Sequence, residues 1–178
     1  MLLPQIWCLL RTLFCASLPV EIPDSEDVIR AIYYEVHLND DGSLKWQAYD
    51  PTPGTDEVSV MRSARLSPTA CKRKAKSMEK APRKLYRGLA VLNSGAIAKK
   101  KMAVIDSRYV YCGHADIKTG VVTQERLPNV PRDSHEVARV KAVAEKLKKL
   151  SQYYPDPNIG STKWEGRALL PPAQGGQE

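Results

Sequence analysis

The chain has 178 residues with a formal charge of +7, and 43% of its residues are hydrophobic and 26% charged. These proportions are those of an ordinary soluble globular protein, and the length suits one domain that buries a sizeable core. No CxxC pair occurs, which excludes a disulfide framework or a zinc finger spelled out by cysteine spacing. A reduced, cytoplasmic location is therefore favoured, with a single disulfide left open among Cys8, Cys15, Cys71 and Cys112.

Residues 1–23 are the most apolar part of the chain and allow three interpretations. The favoured one is an amphipathic helix that packs on the domain, with its apolar side chains at helical spacing. These side chains are Ile6, Leu9, Leu10, Leu13 and Phe14. Alternatively, residues 1–18 act as a signal or a membrane anchor, and the protein is exported or membrane-associated; Arg11 argues against a spanning helix. The third interpretation is an over-extended start that does not belong to the natural protein.

Residues 24–157 are predicted to form a single α+β domain that begins with β structure. The stretch "VIRAIYYEVHL" is rich in β-branched and aromatic residues in alternation, which is typical of a strand. "NDDGS" follows as a turn and "LKWQAYD" as a second strand, so Asp27 to Asp50 is predicted to be a hairpin. The stretch "EVSVMRSARL" is predicted to be a third strand.

A basic helix is predicted next. Ser67 suits its N-cap and Pro68 its first position, and the helix extends to about Lys80 with a thin apolar stripe. Strands are then predicted at "LYRGLAVL", "MAVID" and "YVYCGHADI", with a turn at residues 93–95. Residues 119–133 lack periodicity and are predicted to form a loop or hairpin tip.

An amphipathic helix is predicted near the C-terminus. Asp133 and Glu136 form a capping-box-like start, and the apolar residues that follow share one face of a helical wheel. Those residues are Val137, Val140, Val143, Ala144, Leu147 and Leu150. Residues 158–178, rich in Pro and Gly, are predicted to form a partly disordered tail with Trp164 as an anchor. The fold class is therefore α+β, with a mixed or mostly antiparallel sheet and at least these two helices.

The positive charge is concentrated in one segment. Residues 72–101 hold eleven basic residues and one acid, Glu79, so this window carries +10 and the rest of the chain −3. Such a cluster predicts binding to nucleic acid or another polyanion, because lysine and arginine neutralise phosphates. Nearby Tyr86, Tyr109 and Tyr111 are candidates to stack on bases. The candidate nucleic-acid-binding residues are Lys72, Arg73, Lys74, Lys76, Lys80, Arg83, Lys84, Arg87, Lys99, Lys100 and Lys101.

Two other interpretations of this basic segment stay open. It is either the solvated face of a helix or a surface that docks an acidic protein partner. No helix-turn-helix, RNP, KH or zinc-finger motif accompanies it, so the sequence predicts no base preference. The oligomeric state is not predicted either.

A second group of residues suggests chemistry. In "YCGHADI", Cys112, His114 and Asp116 alternate, so on a strand they share one face. A thiol, an imidazole and a carboxylate together could supply a nucleophile, a base and an orienting group, or part of a metal site. The alternative is a structural hydrogen bond between His114 and Asp116. No GxxxxGK[ST], GxGxxG, HExxH or GxSxG motif is present, and the sequence predicts no cofactor and assigns no metal ligands.

Five stretches follow one another between Asp27 and Ile117: "DVIRAI", "LKWQAYDP", "EVSVMRS", "GLAVLNSGAI" and "AVIDSRYVYCGHADI". Their order resembles a loose group of small uncharacterised bacterial proteins. These share an R-x-I start, an A-F followed by an S-V strand, a G-x-A-x-L turn and a closing H-A-D/N. Tyr49 stands where that group has Phe, and the basic insert 72–84 lies outside the pattern. The resemblance implies no activity, but it directs attention to His114 and Asp116.

Three hypotheses on function result. The first is a basic binding protein that engages nucleic acid or another polyanion through the segment 72–101. The second is a small enzyme, a hydrolase or transferase, centred on His114 and Asp116 with Cys112 as a further candidate. The third is an accessory protein that docks an acidic partner.

Overall fold

The computed structural model describes residues 22–80, 82, 84–125 and 130–171. The predicted N-terminal helix or targeting segment, up to residue 21, and the final residues 172–178 lie outside the described residues. The predicted α+β fold is confirmed, since three α-helices and a 3-10 helix accompany one six-stranded sheet in a single domain. No helix within the described ranges is long and apolar enough to cross a membrane.

The sheet is antiparallel throughout, in the strand order β4-β5-β2-β1-β3-β6. Its strands are β1 (Asp27–Glu35), β2 (Glu57–Arg62), β3 (Lys84–Asn93), β4 (Ala103–Asp106), β5 (His114–Lys118) and β6 (Gln152–Pro155). The helices are α1 (Pro68–Ser77), α2 (Ser94–Ala98) and α3 (Ser134–Leu150), and the 3-10 helix spans Trp46–Tyr49. Strands β1 and β3 pair along their whole lengths and form the centre of the domain.

Two hydrophobic cores lie on opposite faces of this sheet. Residues alternate between the faces of each strand, so Val28 and Ile32 of β1 belong to one core and Ile29 and Tyr33 to the other. The first face is covered by α3 and the 3-10 helix, and the second by α1 and part of the chain after β6. We call these the α3 face and the α1 face.

The capping signals of the two long helices are confirmed. Ser67 caps α1 by accepting a hydrogen bond from the backbone N–H of Ala70, and Pro68 occupies the first turn. Asp133 caps α3 in the same way, because its side chain accepts a hydrogen bond from the backbone N–H of Glu136. Val140, Ala144 and Leu147 of the predicted apolar face are buried. Helix α1 ends at Ser77, three residues before its predicted end.

The predicted hairpin 27–50 is wrong. Residues 46–49 form a 3-10 helix, and β1 pairs with β2 and β3 instead. The reason is that Ala48 and Tyr49, adjacent in sequence, are both buried in the α3-face core. A strand would point them to opposite faces, whereas a tight helical turn lets both contact that core. The turn predicted at residues 93–95 is the start of α2, where the Asn93 side chain accepts from the Ala96 N–H.

The chain near and beyond the predicted domain boundary at residue 157 also contacts the domain. Residues 152–155 form the edge strand β6 beside β3. Beyond it, Ile159, Trp164 and Leu169 pack against the α1-face core. The chain is therefore packed against the domain well past the predicted boundary at residue 157. Gly88 of β3 allows β6 to lie close beside it, because a Cβ at residue 88 would lie 2.3 Å from the Tyr154 carbonyl oxygen.

Candidate functional site: a cationic cleft on the α1 face

The cleft arises where strands β1 and β2 separate. They pair only at Val28–Arg62 and Ile29–Met61, so no β2 residue pairs with β1 beyond Ile29. Arg30 lies in this gap between the strands. Its Nε donates to the Ala48 carbonyl at 3.0 Å, and its Nη1 donates to the Ser59 carbonyl. These two bonds hold the Arg30 guanidinium in the gap between β1 and β2. In a fully paired sheet this space would be closed by hydrogen bonds between the two backbones.

The resulting cleft has a volume of about 390 Å³. Its polar and charged lining includes three cations and two histidines: Arg30, Lys74, Lys84, His37 and His114. None of the described residues that line it is acidic. A more open depression of about 610 Å³ lies beside α2, but one acid and one base, Asp24 and Lys99, balance each other in its wall. The cleft is therefore the better candidate for a charged ligand.

Two aromatic rings position the lysines of the cleft. Lys74 Nζ lies 4.2 Å from the centroid of the Tyr111 ring, and Lys84 Nζ lies 4.6 Å from that of Tyr33. The Tyr33 hydroxyl donates to the Ala75 carbonyl at 3.1 Å, which ties β1 to α1. Ring faces attract cations, so both ammonium groups are held at the cleft while keeping donors for a ligand.

The cations of the cleft influence one another. Burial lowers the pKa of Lys84 below its ordinary value, and the positive charges of Arg30 and Lys80 lower it further. Burial likewise lowers the pKa of Arg30, against the opposing influence of tyrosines and of Asp116. Arginine nevertheless stays charged at neutral pH. Like charges held close together in a partly buried site favour the binding of an anion.

His37 is a structural residue of this cleft. It is only 6% exposed, and burial, followed by the charges of Arg30 and Lys84, lowers its pKa to about 3. Its Nδ1 accepts the Tyr33 backbone N–H at 3.3 Å, and its ring meets the Tyr33 ring edge-on. His37 is therefore neutral at neutral pH and occupied in holding Tyr33 in place.

Stability is expected to fall as the pH falls from 7 to about 4.5. The unfolded chain protonates His37 below its ordinary pKa of 6.5, while the folded chain resists protonation down to about 3. The unfolded state therefore binds more protons in this window, which costs roughly 2 kcal/mol of unfolding free energy at the lower pH. Urea unfolding at both pH values measures the loss. His37→Gln is expected to flatten the profile, and an equal slope in wild type and variant would contradict this assignment.

His114 and Asp116 lie side by side on the same face of β5, as predicted. His114 is 6% exposed, and its Nδ1 lies 3.6 Å from Asp116 Oδ2. Burial lowers the pKa of His114, while the Asp116 carboxylate and the Ser107 backbone act in the opposite direction. Asp116 Oδ2 also accepts a hydrogen bond from the Ser107 hydroxyl. The Ser107 bond thus holds the Asp116 carboxylate beside the imidazole of His114, which lines the cleft, while Nδ1 itself makes no hydrogen bond to a described residue.

Cys112 does not share this arrangement. It lies in a turn before β5, which begins at His114. Gly113 between them has a φ of +88°, a conformation that breaks the alternation of a strand. A Cβ at this position would also lie 2.9 Å from Leu66 Cγ. The predicted set of three residues on one strand face is thus reduced to His114 and Asp116.

Two of the predicted polyanion-binding lysines have structural partners instead. The prediction for Lys72 is wrong, because its side chain is fully buried and lies 2.7 Å from Asp156 Oδ2. Lys76 Nζ donates to the Ile159 carbonyl at 2.7 Å. Both lysines therefore fasten the chain after β6 to α1. The stacking role predicted for Tyr86 is also wrong, since that ring is completely buried, whereas Tyr109 is 82% exposed.

The remaining basic residues do not form one surface. Arg73 and Lys80 are exposed near α1, and the guanidinium of Arg87 lies 5.3 Å from the centroid of the Tyr34 ring. Lys99, Lys100 and Lys101 are exposed beyond the other end of β3, about 30 Å away along the strand. Arg83 lies outside the described residues. The ten described basic residues of this set are thus divided between separate parts of the molecule.

The most informative residue of the cleft, Arg30, is not among the predicted site residues. The sequence feature that could have indicated it is a single cation in the otherwise apolar strand "VIRAIYY", because a charge buried in a strand needs a partner or has a function. Within the described part of the chain, no group of three or more His, Cys, Asp and Glu side chains could hold a metal ion.

Comparison with known proteins gives this chain no relatives: no family model, no curated protein and no solved structure matches it.

Proposed function

We propose that the protein binds a small organic anion in the cationic cleft, and that a phosphate group is the part of the ligand held by the cations. The observation that carries this proposal is the convergence of Arg30, Lys74 and Lys84 on one cleft whose described lining contains no acid. No acidic residue of the described lining balances these three charges. A ligand with two negative charges therefore gains more electrostatic binding free energy in the cleft than a ligand with one.

The size and the apolar walls of the cleft support an organic ligand. A volume of about 390 Å³ falls within the range of small-molecule sites and exceeds what a single phosphate ion fills. Ile29, Met61, Met78 and Val110 contribute apolar surface beside the cations. Such a combination of apolar walls and a few fixed polar groups suits a ligand with one acidic end and one apolar or aromatic end.

Calorimetric titration with phenyl phosphate at low ionic strength tests the proposal. Wild type is expected to bind, and Lys74→Gln and Lys84→Gln are each expected to weaken binding roughly 10- to 100-fold, because each removes a charge-assisted hydrogen bond. Arg73→Gln is the matched control, since Arg73 is exposed, does not line the cleft and precedes Lys74 in the same helix. Its affinity is expected to stay within about twofold of wild type. No binding by wild type, or an equal loss in Arg73→Gln, would contradict the proposal.

Binding of nucleic acid or of an acidic protein stays a prediction, and the same variants distinguish it. A nucleic acid that lies across the exposed basic residues would contact Arg73 and Lys80 as well as the cleft. Its affinity would then fall steeply with salt, with a log–log slope near −0.9 per phosphate contacted on duplex DNA. Arg73→Gln would weaken such binding as much as Lys74→Gln does.

A small acid–base enzyme is the second candidate, and the pairing of His114 with Asp116 favours it. A carboxylate beside Nδ1 is the arrangement that orients a histidine as a proton acceptor in many hydrolytic sites. His114 lies in the same cleft as the three cations, which could stabilise negative charge on a reacting group. The predicted participation of Cys112 has no support from its position in the turn. Binding of an anion in the cleft is a precondition for this candidate.

A further inference from the structure

The apolar residues that line the cleft are not equally available to a ligand. Ile29 and Met61 are buried in the α1-face core, so a ligand removes little further surface of theirs from water. Val110, by contrast, is 54% exposed although it lines the cleft. No other exposed large apolar side chain of the described residues lines it. Because binding gains free energy from the apolar surface that it removes from water, Val110 offers an apolar ligand the larger gain.

Val110 is held in place by the turn that joins β4 to β5. Its backbone N–H donates to the Ser107 carbonyl at 2.9 Å, and the His114 N–H donates to the Tyr111 carbonyl at 3.0 Å. Ser107 is itself buried, and its hydroxyl donates to Asp116. The chain on both sides of Val110 is therefore tied to this pair of strands, so that binding a ligand costs little further ordering of the turn.

This apolar wall adjoins one of the lysines that we propose to bind phosphate. Val110 directly precedes Tyr111, and Lys74 Nζ lies 4.2 Å from the centroid of the Tyr111 ring. Both of these residues line the cleft as well. Met78, the C-cap residue of α1, lies about one helical turn beyond Lys74 and is also part of the lining. An organic group joined to a phosphate at Lys74 thus meets apolar surface from α1 and from the turn.

From this arrangement we infer that the cleft selects phosphomonoesters of small aromatic alcohols over those of polyhydroxy alcohols, and that Val110 contacts the aromatic group. The inference rests on the proposed anion-binding function and specifies the class of its ligand. The cations bind the phosphate of either ester, because both esters carry the same charge. The organic group then decides between them. An aromatic ring gains from removing Val110 and Met78 from water, whereas a hydroxylated chain loses hydrogen bonds to water beside them.

Phenyl phosphate and glycerol 3-phosphate form a matched pair for the test, since they have similar masses and both are dianions at mildly alkaline pH. Calorimetric titration of the wild-type protein is expected to show phenyl phosphate binding roughly 10-fold more tightly, with inorganic phosphate close to glycerol 3-phosphate. Equal affinities for the two esters would overturn the inference and leave the proposed function standing. No binding of any of the three anions would overturn the proposed function itself.

Val110→Thr assigns the preference to Val110. Threonine has the shape of valine with one methyl group replaced by a hydroxyl, and residue 110 is exposed, so the variant is expected to fold. Its affinity for phenyl phosphate is expected to fall roughly 3- to 10-fold, while its affinity for glycerol 3-phosphate stays within about twofold of wild type. Val122→Thr is the matched control, because Val122 is exposed and does not line the cleft. An unchanged preference in Val110→Thr, or an equal loss in Val122→Thr, would contradict the assignment.

Valine methyl signals in the NMR spectrum of the wild-type protein test the same contact without any substitution. The ring current of a bound phenyl group shifts the signals of methyl groups close to it. Phenyl phosphate is therefore expected to shift the Val110 methyl signals saturably, and more than glycerol 3-phosphate does, while the Val122 signals stay in place. Saturable binding of phenyl phosphate that leaves the Val110 signals unchanged would show that the aromatic group lies elsewhere.

Discussion

Replacing Lys72 with methionine is expected to lower the free energy of unfolding by about 3–5 kcal/mol, because the change leaves a buried carboxylate without its partner. Lys72 Nζ lies 2.7 Å from Asp156 Oδ2, and both side chains are completely buried. The same ammonium donates to the carbonyl oxygens of Asn158 at 2.7 Å and Lys163 at 2.9 Å. One lysine thus holds three points of the chain after β6. Urea unfolding measures the loss.

Arg73→Met is the matched control for Lys72→Met. Arg73 is the next residue of α1 and is exposed, so its replacement is expected to change the unfolding free energy by less than about 0.5 kcal/mol. The double variant Lys72→Met/Asp156→Asn is expected to recover part of the loss, because the residual buried group is neutral. A small and equal effect of both single replacements would mean that Lys72 is not the anchor of this segment.

Arg62→Leu is expected to have an effect of similar size, about 3–5 kcal/mol, for a related reason. Arg62 is 1% exposed and lies between two carboxylates. It binds Glu26 through two bonds, at 2.9 Å from Nε and 2.7 Å from Nη2, and it also donates to Asp106 from Nη1. The Glu26 hydrogen bonds raise the pKa of Arg62 against the opposing effect of burial. Removing the guanidinium leaves the Glu26 carboxylate without this partner. Asp106 keeps its ion pair with Arg108.

Arg65→Leu is the control for the Arg62 replacement, because Arg65 is exposed and lies only three residues further along the chain. It is expected to change stability by less than about 0.5 kcal/mol. The double variant Arg62→Leu/Glu26→Gln is expected to be more stable than Arg62→Leu alone. If the second replacement instead adds its own full cost, the ion pair is not what makes Arg62 important.

The features that could be predicted from the sequence are the ones that depend on a few neighbouring residues. Ser67 and Asp133 cap their helices through side-chain bonds made within three residues. The apolar periodicity that predicts α3 is likewise contained in its own sequence. The 3-10 helix at residues 46–49 escaped prediction because its conformation depends on contact with the distant α3-face core. The short edge strand β6 depends in the same way on its partner β3.

The cleft could be predicted only in part. Lys74, Lys84 and His114 are candidates from composition and motif, but nothing local indicates that they share a site. They meet because β1 and β2 separate after Ile29, which is a consequence of the whole sheet. Charge density in sequence also did not distinguish Lys72, whose long side chain is buried against Asp156, from its exposed neighbour Arg73. Both lysines and arginines are normally solvated, so their burial has no local signal.

The central claim, that an anion binds in the cationic cleft, is tested most directly by following the imidazole signals of the three histidines by NMR during a titration with inorganic phosphate. His37 and His114 line the cleft, whereas His135 is exposed on α3, on the opposite face of the sheet. Phosphate is expected to shift the signals of His37 and His114 saturably and to leave that of His135 in place. Unchanged signals of the two cleft histidines, or a shift of His135 alone, would contradict the account.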